Sequence, residues 1–181
     1  MGGRGGASGL STGNGITFDL KGKDEKFKDS VKVLKSLSKE YDTRLHEVSV
    51  GAEKAAGDVD ISGYRMRLSS SAIEVAIHEF AHTLASSSAD KYGLTNHAEF
   101  WKEIKKVQRE YKKKVGNDTS KWISSYEHSR KGPDEFFAEA FAHAKMRSLG
   151  LPKSRMYGSD YTYSEKVLGV VDKYFKKRKK K

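Results

Sequence analysis

The chain has 181 residues, 33% charged and 36% hydrophobic, with 17 Gly and only 2 Pro; that suits one domain with a single core and excludes wholesale disorder. It contains no cysteine, so disulfides, cysteine nucleophiles and cysteine-ligated zinc or iron–sulfur centres are excluded, and any metal has to sit on His, Asp or Glu. The formal net charge is +11, and six of those charges come from residues 176–181 alone.

The start, Met-Gly-Gly-Arg-Gly-Gly, has no apolar core that could serve as a signal peptide, and Gly6 stands where myristoylation wants Ser or Thr. No stretch approaches the ~18 apolar residues of a membrane span, so neither a span nor classical export is expected, and a cytoplasmic or phage-associated location is. Residues 1–15 hold seven glycines and no apolar periodicity, and they read as a flexible tail whose ordering no buried surface would offset. From 24 to 41, Phe27, Val31, Leu34 and Tyr41 recur at helical steps, with Val33 and Leu37 widening the stripe, and predict an amphipathic helix. Segments 44–50 and 59–68 are rich in β-branched and aromatic residues and are separated by a glycine-bearing polar stretch, which predicts two strands, plausibly paired.

Ser69, Ser70 and Ser71 offer an N-cap to a helix whose broad apolar face carries Ile73, Ala76, Ile77, Phe80, Ala81 and Leu84. A third helix is marked by Phe100, Trp101, Ile104, Val107 and Tyr111, and a fourth starts at Pro133 with Phe136, Phe137, Ala140 and Phe141 as its apolar side. A last helix over 163–175 leads into the basic run, which can hold nucleic acid or an anionic surface weakly by charge, or be a solvated helix end. Helix, strands, then helices, without βαβ alternation, predicts an α+β fold in which residues 16–175 form the domain.

The sharpest feature is His78-Glu79-Phe80-Ala81-His82, an HExxH pattern inside the second helix. Residues four apart stand one turn up and about 40° round, so both imidazoles can reach one ion with Glu79 beside it. Catalytic zinc takes three protein ligands and keeps a fourth position open. Two residues compete for the third place. Glu135 lies four before Glu139 on an otherwise apolar helix that also carries His143, and buried carboxylates there need partners: a Zn2+ ion for Glu135 and a ligand imidazole for Glu139. The rival is His97, ahead of Phe100 and Trp101. His46 and His143 read as hydrogen-bonded surface or boundary residues.

HEFAH followed by DEFFAEAFA resembles the zinc-dependent peptidases of the anthrax lethal factor type and the related Pro-Pro endopeptidases, over roughly residues 44–148. The resemblance implies a small zincin-like catalytic domain, a short sheet with an active-site helix and a second Glu-bearing helix. It also implies Glu135 as zinc ligand and Glu139 in the position of the family's second Glu. The family's catalytic tyrosine, which sits shortly before the Glu motif, corresponds here to Tyr126, with His128 as the alternative because the spacing departs by two residues. The SprT-like peptidases, which act on DNA-associated proteins, place a third His where His97 stands.

What the resemblance implies is a metalloendopeptidase acting on a protein or peptide: Glu79 as proton acceptor and donor, Tyr126 as hydrogen-bond donor to the developing oxyanion. Its substrate would pair along the strand over 61–68, with Ile61, Gly63 and Arg65 as the binding residues, and Arg65 and Arg67 could bias the cleft towards acidic sequences. Alternating arginines also serve simply to keep an edge strand from aggregating. A different class of reading is a basic nucleic-acid-binding or structural protein with an inactive metal site.

Overall fold

The computed structural model describes residues 15–51, 56–86, 97–124, 132–152 and 154–177. The expected tail, all but Gly15, and residues 178–181 of the basic run lie outside the described residues, as do Tyr126 and His128. The elements run β1 (Thr17–Asp19), α1 (Asp24–Glu40), β2 (Glu47–Val50), β3 (Gly57–Val59), β4 (Arg65–Leu68), α2 (Ile73–Leu84), α3 (His97–Val115), a 3-10 turn (Thr119–Lys121), α4 (Pro133–Ser148) and α5 (Thr162–Phe175). Among the described residues this is a small α+β domain of five α-helices and one four-stranded sheet in the order β1-β2-β4-β3.

α1 buries Phe27, Val33, Leu34 and Leu37, with Asp24 and Glu25 in its first turn and Lys39 in its last, charges that complement the helix dipole. In the sheet, β2 pairs in parallel with both β1 and β4, while β3 and β4 form an antiparallel hairpin. The two expected strand segments are therefore neighbours, but the second is divided. Asp60 Oδ1 accepts from the Ser62 hydroxyl at 2.9 Å and from the Tyr64 amide at 2.9 Å, which closes a turn through Gly63 at φ +72°. The turn sends residues 65–68 back along 57–59. β4 thus lies inside the sheet and β3 is its edge, so the expected edge over 61–68 is corrected to Gly57–Val59. Met66 and Leu68 point into the core, while Arg65 and Arg67 on the opposite face pair with Glu47 at 3.2 Å and Asp58 at 2.8 Å.

α2 is the central helix, packed on β3 and β4 at one side and on α1 and α4 at the others. The serines before it do not supply the expected side-chain cap: the extended residue at its start is Ala72. Ser70 Oγ instead accepts from the Ala72 amide at 3.1 Å, and the Ser71 carbonyl accepts from the Ser30 hydroxyl at 3.0 Å, tying α2 to α1. α4 begins with Pro133 in its first turn and is buried continuously from Phe136 to Met146; α3 and α5 cover it. Phe100 sits edge-on to Phe137 and Phe175 at 5.4 and 5.1 Å, joining the three helices.

The first two residues of the basic run are engaged in the fold. Lys176 Nζ lies 2.8 Å from Asp172 and 3.5 Å from Glu40, and Lys177 donates from its amide to the Glu40 carbonyl. Among the described residues no helix is long and apolar enough to cross a membrane.

Candidate metal centre

α2 and α4 lie against one another, and each carries three polar residues at four-residue spacing: Glu74, His78 and His82 on α2; Glu135, Glu139 and His143 on α4. Each step of four advances about 6 Å along the axis, so each set forms a row along its helix. Where the rows meet, three side chains converge. His78 Nε2 and His82 Nε2 are 3.1 Å apart, His78 Nε2 is 3.5 Å from Glu135 Oε2, and His82 Nε2 is 3.6 Å from Glu135 Oε1. Zinc holds N and O ligands at about 2.0–2.2 Å, and the edge of a tetrahedron with such bonds is about 3.3–3.6 Å. Two of the three donor separations fall within those edges and the third, 3.1 Å, is slightly shorter, so the three atoms approximate one tetrahedral face, and the donor set, two imidazoles and a carboxylate, suits a borderline cation. His78, His82 and Glu135 are the group able to hold a metal ion among the described residues, and His97 does not belong to it.

The surrounding charges favour a cation as well. Glu139 Oε1 stands 3.4 Å from His78 Nδ1, on the side of the ring away from Glu135. A proton on Nδ1 facing that carboxylate leaves the Nε2 lone pair directed at the shared space. Burial works against charge on His78, yet Glu135, Glu139 and Glu79 together prevail and push it up to about 10. His82 is pushed down to about 4 by burial and by the charge on His78. Glu79 is pushed up to about 7 by burial, reinforced by Glu135, Asp58 and Glu139 and opposed by His78. Among the described residues carboxylates thus outnumber the cationic groups around this space, a charge environment that suits a dication.

Glu79 packs on β3 where only glycine fits: a Cβ on Gly57 would lie 2.6 Å from Glu79 Cγ and 3.1 Å from Oε1. Its carboxyl group opens on a cleft of about 820 Å³ lined by Gly57, Asp58 and Val59 of the edge strand, by His78, His82 and Glu135, and by Trp101. Ile61 is on the rim and 91% exposed. Gly63 lies in the turn behind it, where an added Cβ would meet Ser86 at 2.8 Å. Arg65 does not line the cleft; it is on β4, paired with Glu47. The expected bias towards acidic substrates through Arg65 and Arg67 thus loses its basis, because both arginines serve cross-strand pairs. His97 accepts from the Trp101 indole N–H at 3.1 Å, which occupies one of its ring nitrogens and turns it to supporting Trp101 at the cleft wall.

Three residues outside the sequence-based site join this region. Tyr157 and Met156 line the cleft from the segment before α5, and Glu74 lines it from the first turn of α2. His143, expected at the boundary, is fully buried: Nδ1 is 2.7 Å from Ser164 Oγ and Nε2 is 3.1 Å from the Gly158 carbonyl. A carbonyl can only accept, so Nε2 carries a proton. Glu74 continues the i, i+4 series of the two histidines, but nothing in the periodicity of residues 154–158 marks Tyr157. Comparison with protein families, with curated proteins and with solved structures finds no match to this chain.

Proposed function

We propose that the protein is a zinc-dependent metalloendopeptidase of zincin-like architecture, with His78, His82 and Glu135 as the residues that hold the metal. The observation that carries this reading is the spacing of their donor atoms, 3.1, 3.5 and 3.6 Å, on the wall of an open cleft. A bound zinc ion supplies Lewis acidity, polarising a carbonyl and lowering the pKa of a water towards ~7. The chain supplies the rest. Glu79, whose carboxyl group is held by burial above the usual carboxylate range in the metal-free protein, takes a proton from the attacking water and returns it to the leaving amine. β3 offers its free edge to an extended peptide directly beside Glu79, with Ile61 at the rim. Trp101 walls the cleft and limits water. Tyr126, the residue that the family resemblance assigns to the oxyanion, is the donor in this proposal.

Metal analysis of purified wild type, Glu135→Ala and His97→Ala tests the ligand set, alongside cleavage of a peptide library by wild type and Glu79→Gln. The expected result is about one zinc per chain in wild type and His97→Ala, none in Glu135→Ala, and zinc retained in Glu79→Gln with cleavage reduced by ~10²–10⁴-fold or more. Zinc retained by Glu135→Ala and lost by His97→Ala overturns the assignment.

A further inference from the structure

Residues 154–158 lie across the facing rows of α2 and α4 and touch both. Ser154 donates from its hydroxyl to Glu74 Oε1 at 3.0 Å, and the Gly158 carbonyl accepts from His143 Nε2 at 3.1 Å. Between them stands Tyr157. It forms an antiparallel bridge with Ser124, its ring stacks on His143 at 5.1 Å with the planes 25° apart, and it is only 5% exposed although it lines the cleft. The far side of His143 is covered by Tyr161 at 4.0 Å, so the imidazole is clamped between two phenol rings. Gly158 makes the close approach possible: a Cβ there would lie 2.4 Å from the Trp122 carbonyl oxygen.

One helical turn before His143 stands Glu139. Its Oε1 faces His78 Nδ1, while its Oε2 is buried with no hydrogen-bond partner in place. A buried carboxylate oxygen without a donor is costly, and a site that relies on that carboxylate to orient a ligand ring needs it held. Tyr157 lines the same cleft as Glu139 and is nearly buried there, and burial, followed by the charges of Glu139 and Glu74, holds its phenol above its ordinary range. A protonated phenol is a donor at every physiological pH.

We infer that Tyr157 is a positioning residue of the metal centre, its hydroxyl donating to the free oxygen of Glu139 and so fixing the carboxylate that orients the His78 ring. The inference rests on the proposed metal site for its purpose, while the pairing of Tyr157 with Glu139 is testable without metal. The chain of command runs from residues 154–158 through Tyr157 to Glu139, from Glu139 to His78, and from His78 to the ion; Tyr157 itself touches no reacting atom. His143 supports it by holding the Gly158 carbonyl and stacking on the phenol.

Two measurements on the full chain test this. In metal-free protein labelled at tyrosine Cζ, the Tyr157 resonance at pH 8, assigned by its absence in Tyr157→Phe, is expected to move when Glu139 is replaced by Gln and to stay in place in Glu135→Gln. An unmoved resonance in Glu139→Gln overturns the contact. Zinc titration is then expected to show Tyr157→Phe binding roughly three- to tenfold more weakly than wild type, below the ~10–100-fold usual for the partner that touches a ligand directly. Tyr161→Phe, which keeps the ring stack, should bind like wild type, and the double variant Tyr157→Phe/Glu139→Gln no more weakly than Glu139→Gln alone, because both act through one carboxylate. Full additivity, or wild-type affinity in Tyr157→Phe, overturns the positioning role. If wild type takes up no zinc, the proposed function and the positioning role fall together, and the resonance experiment still decides whether the contact exists.

Discussion

The two ends of α4 bury charge in opposite ways. Towards its C-terminus Lys145, with a side chain only 5% exposed, is matched by one acid: its Nζ is 2.7 Å from Glu40 Oε2 and 4.8 Å from the centre of the Tyr41 ring. Tyr41 in turn donates to Asp172, which pairs with Lys176. Towards its N-terminus Glu135 and Glu139 face Glu79 across the cleft with His78 between them, while Asp58 nearby pairs with Arg67. Matched buried charge ties α1, α4 and α5 together, whereas at the other end carboxylates outnumber the cationic groups that the described residues bring to the cleft. Structural ion pairs and functional sites are thus distinguishable on one helix by whether the charges balance.

The matched end gives the largest expected effect. Lys145→Met leaves the partly buried Glu40 with Lys176 as its remaining cation at 3.5 Å, and should destabilise the fold by about 3 kcal/mol in chemical denaturation. Zinc affinity of the folded protein should not change. A stability loss below about 1 kcal/mol would show that Lys145 is not the tie described.

The unmatched end predicts a gain from removing charge. The folded protein holds the Glu79 proton up to about pH 7, whereas an unfolded Glu releases it near 4.5. That contribution to stability is complete below about pH 4.5 and is lost as pH rises to 7. Glu79→Gln cannot lose it. Metal-free Glu79→Gln should therefore match wild type at pH 4 and exceed it by about 2–3 kcal/mol at pH 8. A difference independent of pH, or a loss at pH 8, contradicts the charge account of the cleft.

Gly57 probes the same end through geometry. In Gly57→Ala the new methyl needs Glu79 to retreat by most of an ångström from a 2.6 Å contact, and displacement of that size can lower turnover by up to ~10²-fold. Zinc should stay bound, since Gly57 touches none of the three ligands. Unaltered cleavage by Gly57→Ala would mean that Glu79 is not held against β3.

How much of this was legible follows from the range of the interactions involved. All five helices announce themselves, because a stripe at three- and four-residue steps is a local pattern, and the HExxH pair follows from the same geometry. β1 does not: three residues, Thr17, Phe18 and Asp19, are too few to show a period. The split of 59–68 was readable in principle from Asp60, Ser62 and Gly63, residues that favour turns, but the β-branched and aromatic neighbours mask it. The parallel pairing of β2 with β4 has no local signature, since it depends on where α1 and α2 pack. Tyr157 was invisible for a related reason: its contacts with Ser124 and His143 come from two other parts of the chain.

Arg65 marks the smallest effect, and it tests how the corrected sheet order bears on the cleft. On an edge strand beside Glu79, the proposed proton acceptor, Arg65 would meet substrate, and its loss would change which peptides are cleaved. On the interior strand β4 its side chain is 65% exposed and 3.2 Å from Glu47 on the neighbouring strand. An exposed pair of this kind contributes about 0.2–1 kcal/mol. Arg65→Ser should therefore lower stability by less than about 1 kcal/mol, measured by thermal unfolding, and leave the cleavage profile across a peptide library unchanged. A shift in that profile towards or away from acidic peptides would return Arg65 to the cleft and place the substrate on the other side of the hairpin.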